Sequence, residues 1–278
     1  LVTGEIRGWQ IGMWYGGIAC TLVLLRTKTR NKLRDFVYKH TGRFWRKREV
    51  VRYTVCTILI SMLLQGAGQA LCVWQQRTEA ICFLDVGQGD GILIRSPDGR
   101  NIVIDGGSTS QSKCGTYTLL PALRSQGMTE IDCWFVTHTD EDHISGLKEL
   151  LSQGKLTQIK VRTIVFSAYV FQDAALAELE TMIRAAGITI VWMREGDVIG
   201  DDTFTLTCLH PTAEYRAKDK NAASLALAYH SDTFDMLFTG DMDADAVADM
   251  DIQQDYDCIK LPHHGSKYSY VEGVYAHA

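Results

Sequence analysis

Residues Thr137 to Gly146, Thr-His-Thr-Asp-Glu-Asp-His-Ile-Ser-Gly, place four candidate metal ligands (His138, Asp140, Asp142 and His143) within six positions, directly after the apolar run Cys133-Trp134-Phe135-Val136. An apolar run emptying into such a loop reads as a strand. Ile144, Leu147, Leu150 and Leu151 follow at helical spacing, with Gly154 beyond them as a stop, so the ligands fall on a strand-to-helix turn. In an extended loop, residues two apart point the same way and adjacent residues point apart. His138 with Asp140 can therefore serve one metal while Asp142 or His143 serves a second. The competing reading is a polar loop that caps a helix, with Asp140 or Asp142 accepting backbone N–H groups and the histidines incidental.

The pattern His138-x-Asp140-x-Asp142-His143 resembles the signature loop of the metallo-β-lactamase superfamily, His-x-His-x-Asp-His. Asp140 stands where that pattern has its second histidine, and a carboxylate there shifts preference from zinc toward manganese. Phe238-Thr239-Gly240-Asp241 ends an apolar run at the place where the superfamily has the carboxylate that bridges two metals, a role a carboxylate can fill and an imidazole cannot. Cys258 to Ser266 is another apolar run that ends in a turn, at His263-His264. Adjacent histidines point in different directions, so one of the pair reaches a given metal. The resemblance makes His264 the ligand and gives His263 the phosphate or the leaving oxygen, supported by Ser266 and Lys267. Asn221-Ala222-Ala223-Ser224 is similar to an Asn-x-x-Ser element of the family and adds Asn221 and Ser224 as substrate-contacting candidates; its plain reading is a turn. His210, before Pro211, stands where related enzymes carry another metal histidine, or is structural.

Charge divides the chain. Residues 1–76 hold twelve Lys/Arg and three Asp/Glu, against sixteen and thirty in the remainder. Gly8 to Leu25 is an uncharged stretch of eighteen residues, and Tyr53 to Gln76 one of twenty-four. These lengths predict two transmembrane α-helices over about 8–25 and 53–76. The eleven Lys/Arg from Arg26 to Arg52 make the connection a cytoplasmic loop, which places everything after Arg77 on the extracytoplasmic face. A start at Leu1 instead of methionine suggests a piece of a longer protein, with the second domain truncated at its C-terminus. The eight cysteines are scattered without a zinc spacing and read mainly as small core residues.

From Ala80 onward, short apolar runs alternate with turns and helical patterns, as in an α/β domain. Phe83-Leu84-Asp85-Val86-Gly87-Gln88-Gly89-Asp90, then Val103-Ile104-Asp105-Gly106-Gly107, then the His138 loop, together resemble the C-terminal region of the ComEC-type DNA-internalisation competence family. That resemblance implies an αββα metallo-β-lactamase-like sandwich over 77–278, two divalent ions (zinc or manganese) and no organic cofactor. It also implies DNA, the membrane and other parts of the DNA-uptake channel as partners, with hydrolysis of the strand that is not transported. His138, Asp140, Asp142, His143, Asp241 and His264 are the expected metal set, and Asp142 and His263 the expected catalytic pair. The alternatives are hydrolysis of another ester or a lactam, and a domain that guides DNA without cutting it.

Overall fold

The computed structural model describes residues 78–154, 159–250, 252 and 254–277, together with 26–42 and shorter pieces between residues 11 and 67. Two compact units separate, the second running from Arg77 to Ala278.

In the first unit, helix α1 spans Thr27–Thr41 within the basic stretch. The two predicted membrane crossings are not found: among the described residues no helix is long and apolar enough to cross a membrane. Parts of both stretches lie outside the described residues. The sequence supplies the physical reason. Four glycines (Gly8, Gly12, Gly16 and Gly17) dilute the first stretch, and from Gln65 to Ala70 the second turns to glutamine and small residues. Its strongly apolar part, Val55 to Leu64, is about half of the roughly 20 residues a crossing needs. The multi-pass membrane location and the extracytoplasmic placement of the second unit rested on those crossings and are not sustained.

The second unit is a sandwich of two sheets. The first sheet has the order β1 (Ala80–Phe83), β2 (Gly91–Arg95), β3 (Asn101–Asp105), β4 (Glu130–Phe135), β5 (Lys160–Ser167), β6 (Thr189–Met193). β1 to β3 pair antiparallel, whereas β3 to β6 run parallel. The parallel pairings need crossovers, and each of the three carries a helix; the first and third are a π-turn over Gly115–Leu119 that runs into α2 (Leu120–Ser125), and α4 (Ala174–Ala185). Between β4 and β5 lies α3 (Glu141–Ser152). The second sheet has the order β11 (Cys258–Ile259), β10 (Asp235–Phe238), β9 (Ala226–Ser231), β8 (Phe204–His210), β7 (Val198–Gly200). Behind it lie α5 (Ala244–Asp249) and α6 (Glu272–Tyr275).

Three apolar layers hold this together. Ile92, Ile94, Ile102, Ile104, Phe135 and Val165 of the first sheet face Phe204, Leu206, Leu227, Tyr229, Met236 and Phe238 of the second. On the outer side of the first sheet, Val103, Trp134 and Ile164 pack with Ile144, Leu147 and Leu150 of α3 and Leu176, Leu179 and Ile183 of α4. On the outer side of the second, Ala226, Ala228 and Leu237 meet Ala246 and Val247 of α5. Central strands buried on both faces read as continuous apolar runs, which is why Ile92-Leu93-Ile94 and Ile102-Val103-Ile104 do not alternate. Cys114 and Cys208 are buried free thiols, in keeping with their reading as small core residues.

Candidate metal centre

Parallel register brings the ends of three strands to one edge. Ile104 is level with Phe135, and Phe135 with Val165. The chain therefore leaves β3 at Asp105 and β4 at Thr137-His138 side by side. In the second sheet β10 and β11 are also parallel, with Leu237 level with Ile259, so Gly240-Asp241 and His263-His264 leave neighbouring strand ends.

Across these edges the side chains converge. Candidate ligand atoms of Asp142, His143, Asp241 and His264 all lie within 4.8 Å of one another. His143, on the first turn of α3, has Nε2 3.2 Å from Asp241 Oδ2, and His264 Nε2 is 3.1 Å from the same oxygen. Asp142 Oδ2 is 3.7 Å from His264 Nε2. His264 reaches inward because His263 (φ 49°) and His264 (φ 53°) both take the left-handed conformation, an uncommon and costly choice for non-glycine residues.

Asp105 fixes the centre from behind. Its Oδ1 accepts from the Thr137 N–H (2.8 Å), and its Oδ2 accepts from Thr137 Oγ1 (2.7 Å) and from His143 Nδ1 (2.8 Å). With Nδ1 donating to Asp105, His143 turns Nε2 to the cluster, the usual orientation of a ligating histidine with a carboxylate behind it. Lys260 is the second support: its ammonium lies 2.7 Å from Asp90 Oδ2 and 3.7 Å from Asp241 Oδ1, and donates to the Gly240 carbonyl.

The electrostatics suit a bound cation. Burial works against charge on His143, but Asp105 and Asp241 outweigh it and hold the imidazole well above its usual range. Asp142, with Asp241, pushes His264 up to about 9, and His264 in turn holds Asp142 low. Burial raises Asp241, yet His143 and His264 keep it far below the ordinary carboxylate range. Both imidazoles thus lie between carboxylates that a divalent cation would also satisfy. His138 differs: burial pushes it down to about 3, so it is neutral at physiological pH. Buried His138 Nε2, His143 Nε2 and Asp241 Oδ1 all lack a hydrogen-bond partner. Buried polar atoms are normally satisfied, and a cluster of two imidazoles and two carboxylates has the donor set of a zinc or manganese site. The residues fit a divalent metal.

The remaining candidates are placed as follows. The His138 ring lies tilted against that of His143 (centroids 4.1 Å apart), with Nδ1 3.1 Å from Thr137 Oγ1 and 3.4 Å from Ser224 Oγ. Asp140 occupies the N-cap position of α3, but its side chain does not cap the helix. It lies 3.8 Å from His138 Nε2 and pairs with Lys220 at 2.9 Å. Ser224 is buried in the site and accepts from the Asp241 N–H (3.2 Å), so it braces two candidate ligands. Asn221 offers its carbonyl to the Ser224 N–H, forming the turn. His263 donates its backbone N–H to Gly240 and lies beside His264, ring centroids 6.1 Å apart. Ser266 caps the turn that follows, and Lys267 lies 5.0 Å over the Tyr268 ring. His210 hangs from the Ser224 carbonyl through Nδ1 (3.0 Å), outside the candidate ligand groups of the described residues. Asp90, Asp105, Lys220 and Lys260 are the site residues that the loop patterns do not mark. The signal for Asp105 is the one that marks Asp241, an aspartate followed or preceded by glycine where an apolar strand ends.

The glycine-rich stretches brace the metal loop. A Cβ on Gly89 would lie 2.4 Å from the Asp142 carbonyl oxygen, and one on Gly107 2.6 Å from the Asp142 carbonyl carbon and the Glu141 carbonyl oxygen. Backbone thus packs on backbone, with the Asp90 N–H donating to Asp142 and the Gly106 N–H to His143. Gly107→Ala is expected to displace the loop, lowering stability by roughly 1–3 kcal/mol as overpacking does and weakening metal binding. Thermal melting with and without manganese checks this; unchanged melting and unchanged titration would contradict so tight an approach.

Residues 84–213 match the family model described as Metallo-beta-lactamase superfamily. The domain has a metallo-β-lactamase fold. That fold implies divalent metal binding, in keeping with the ligand clusters. The chain is 28% identical over 201 residues to ComE operon protein 3 of Bacillus subtilis (strain 168), covering 66% of this chain and 25% of that protein. It thus spans about a quarter of the length of this curated relative. Among solved structures, the metallo-β-lactamase fold protein YhfI from Bacillus subtilis is similar at 16% identity and a TM-score of 0.40, over 62% of each chain. CmlA, a diiron β-hydroxylase from Streptomyces venezuelae, is similar at 14% identity and a TM-score of 0.40, over 66% of this chain and 34% of that one.

Proposed function

We propose that the metallo-β-lactamase domain is a metal-dependent phosphodiesterase that hydrolyses DNA in the course of DNA uptake. The observation that carries the reading is the convergence of Asp142, His143, Asp241 and His264, with buried ring nitrogen and carboxylate oxygen left without hydrogen bonds. The resemblance of its motifs to the ComEC-type family, and the likeness to ComE operon protein 3, favour DNA over a lactam or another ester.

A divalent ion bound in the cluster supplies Lewis acidity toward a phosphoryl oxygen and lowers the pKa of a water. The chain's own residues do the rest. Asp105 holds the tautomer and orientation of His143, while Lys260 offsets negative charge on Asp90 and Asp241. His263, beside His264 and partly exposed, is the side chain assigned to the phosphate or the leaving oxygen. With sixteen basic and thirty acidic residues after Gln76, the domain repels DNA at long range, so attraction depends on the metal and on lysines close to it.

The test uses the whole chain, metal-depleted or reloaded with manganese or zinc, against single-stranded DNA, plasmid and a β-lactam. DNA cleavage that requires metal is the expected result. Cleavage of the β-lactam alone would assign the site to lactams, and DNA binding without cleavage under any metal would make the domain a guide.

A further inference from the structure

The His138–Asp140 half of the centre is built differently from the half that gathers Asp142, His143, Asp241 and His264. Asp140 Oδ2 is 3.8 Å from His138 Nε2, but Asp140 Oδ1 is held at 2.9 Å by the ammonium of Lys220. That ammonium is anchored a second time, 3.1 Å from Asp173 Oδ2. Asp173 is itself fixed, because it caps α4 by accepting from the Leu176 N–H at 2.8 Å. The Lys220 backbone is tied into the turn that carries Ser224, through its carbonyl and the Ala223 N–H. This differs from an isolated surface pair, in which two long side chains must be immobilised for little gain.

Asp241 shows the same arrangement. One of its oxygens, Oδ2, faces His143 and His264; the other, Oδ1, faces the Lys260 ammonium at 3.7 Å. A second ion on the His138 side would need Asp140 and this outer oxygen of Asp241. Lys260 stands off that oxygen and is spent on Asp90 at 2.7 Å and on the Gly240 carbonyl, whereas Lys220 is bonded directly to Asp140, so a dication there would meet like charge chiefly at Lys220. No such lysine faces Asp142 among the described ion pairs, and neither His138 nor Asp140 belongs to a candidate ligand group.

Building on the metal-dependent reading above, we propose that Lys220 takes the place of one of the two expected cations, so that the chain loads a single divalent ion, in the Asp142–His143–Asp241–His264 cluster. Lys220 is then a positioning residue: it neutralises Asp140 without metal and leaves His138 packed beside His143.

The experiment is elemental analysis of the full chain after saturation with manganese and dialysis, with electron paramagnetic resonance to separate isolated from coupled ions. Wild type should hold one uncoupled ion. Lys220→Met, with Asp140 freed, should hold two with a coupled spectrum, and Lys220→Arg, which keeps the charge, should stay at one. Circular dichroism checks folding, and Lys220→Gln carries the same expectation should the methionine variant not fold. Two ions in wild type would overturn the proposal, as would one ion in folded neutral variants. No ion in any form would overturn the metal-dependent reading itself, and this proposal with it.

Discussion

Asp241→Asn should lower metal-dependent hydrolysis by several orders of magnitude and leave the chain folded. Asp241 is the shared neighbour of the two cluster histidines, at 3.2 Å and 3.1 Å. Asparagine keeps the size but loses the charge and one good acceptor. Charge stabilisation by a bound metal is worth on the order of several kcal/mol, and about 1.4 kcal/mol is tenfold in rate. The fold should survive because the Asp241 N–H still reaches Ser224, and the Gly240 carbonyl still accepts from His263 and Lys260. Nicking of plasmid and degradation of single strands, with manganese and matched circular dichroism spectra, measure the effect. Equal cleavage by both proteins would place the chemistry elsewhere or in a contaminant.

The second large effect is expected at Asp105, where stability and metal affinity should fall together. Its carboxylate satisfies Thr137 twice and His143 once, all in a buried setting. Asp105→Asn leaves a near-isosteric side chain that cannot accept all three bonds, and it strips His143 of one of its two buried carboxylate partners. Breaking a buried pair from one side costs roughly 3–5 kcal/mol. Loss of the carboxylate behind a ligating histidine lowers metal affinity roughly 10–100-fold. Denaturant unfolding of the metal-free chain and manganese titration of the folded chain separate the two. A stable variant with unchanged affinity would mean that Asp105 merely occupies a strand end.

Both sites bear on what the sequence could disclose. The His138 loop, Gly240-Asp241 and His263-His264 are legible because each follows an apolar run, and polar chemistry at the end of a buried strand has few bland explanations. Asp105 follows an apolar run too, yet its role depends on a register in which β3 lies beside β4, which local spacing does not reveal. Lys220 is harder still: it sits in an aperiodic polar loop and meets Asp140 across eighty positions of chain. Strand β5, buried on alternate and then successive residues, and the π-turn before α2 lack a clean period that would mark them in the sequence. The apolar stretches of the first seventy-six residues misled for the opposite reason, since freedom from charge is a weaker requirement than sustained hydrophobicity.

The two half-sites belong to different sheets: Asp142 and His143 follow β4, whereas Asp241 and His264 follow β10 and β11. The layer of Ile104, Phe135, Leu227, Phe238 and their neighbours fills the gap between those sheets. That layer works as a caliper. A swap of one methylene there, too small to unfold the chain, reaches the ligands as a change in their spacing, and a misplacement of about 1 Å is enough to cost roughly a hundredfold in rate. Selection on catalysis would therefore be felt deep in the hydrophobic interior, at positions that never touch substrate.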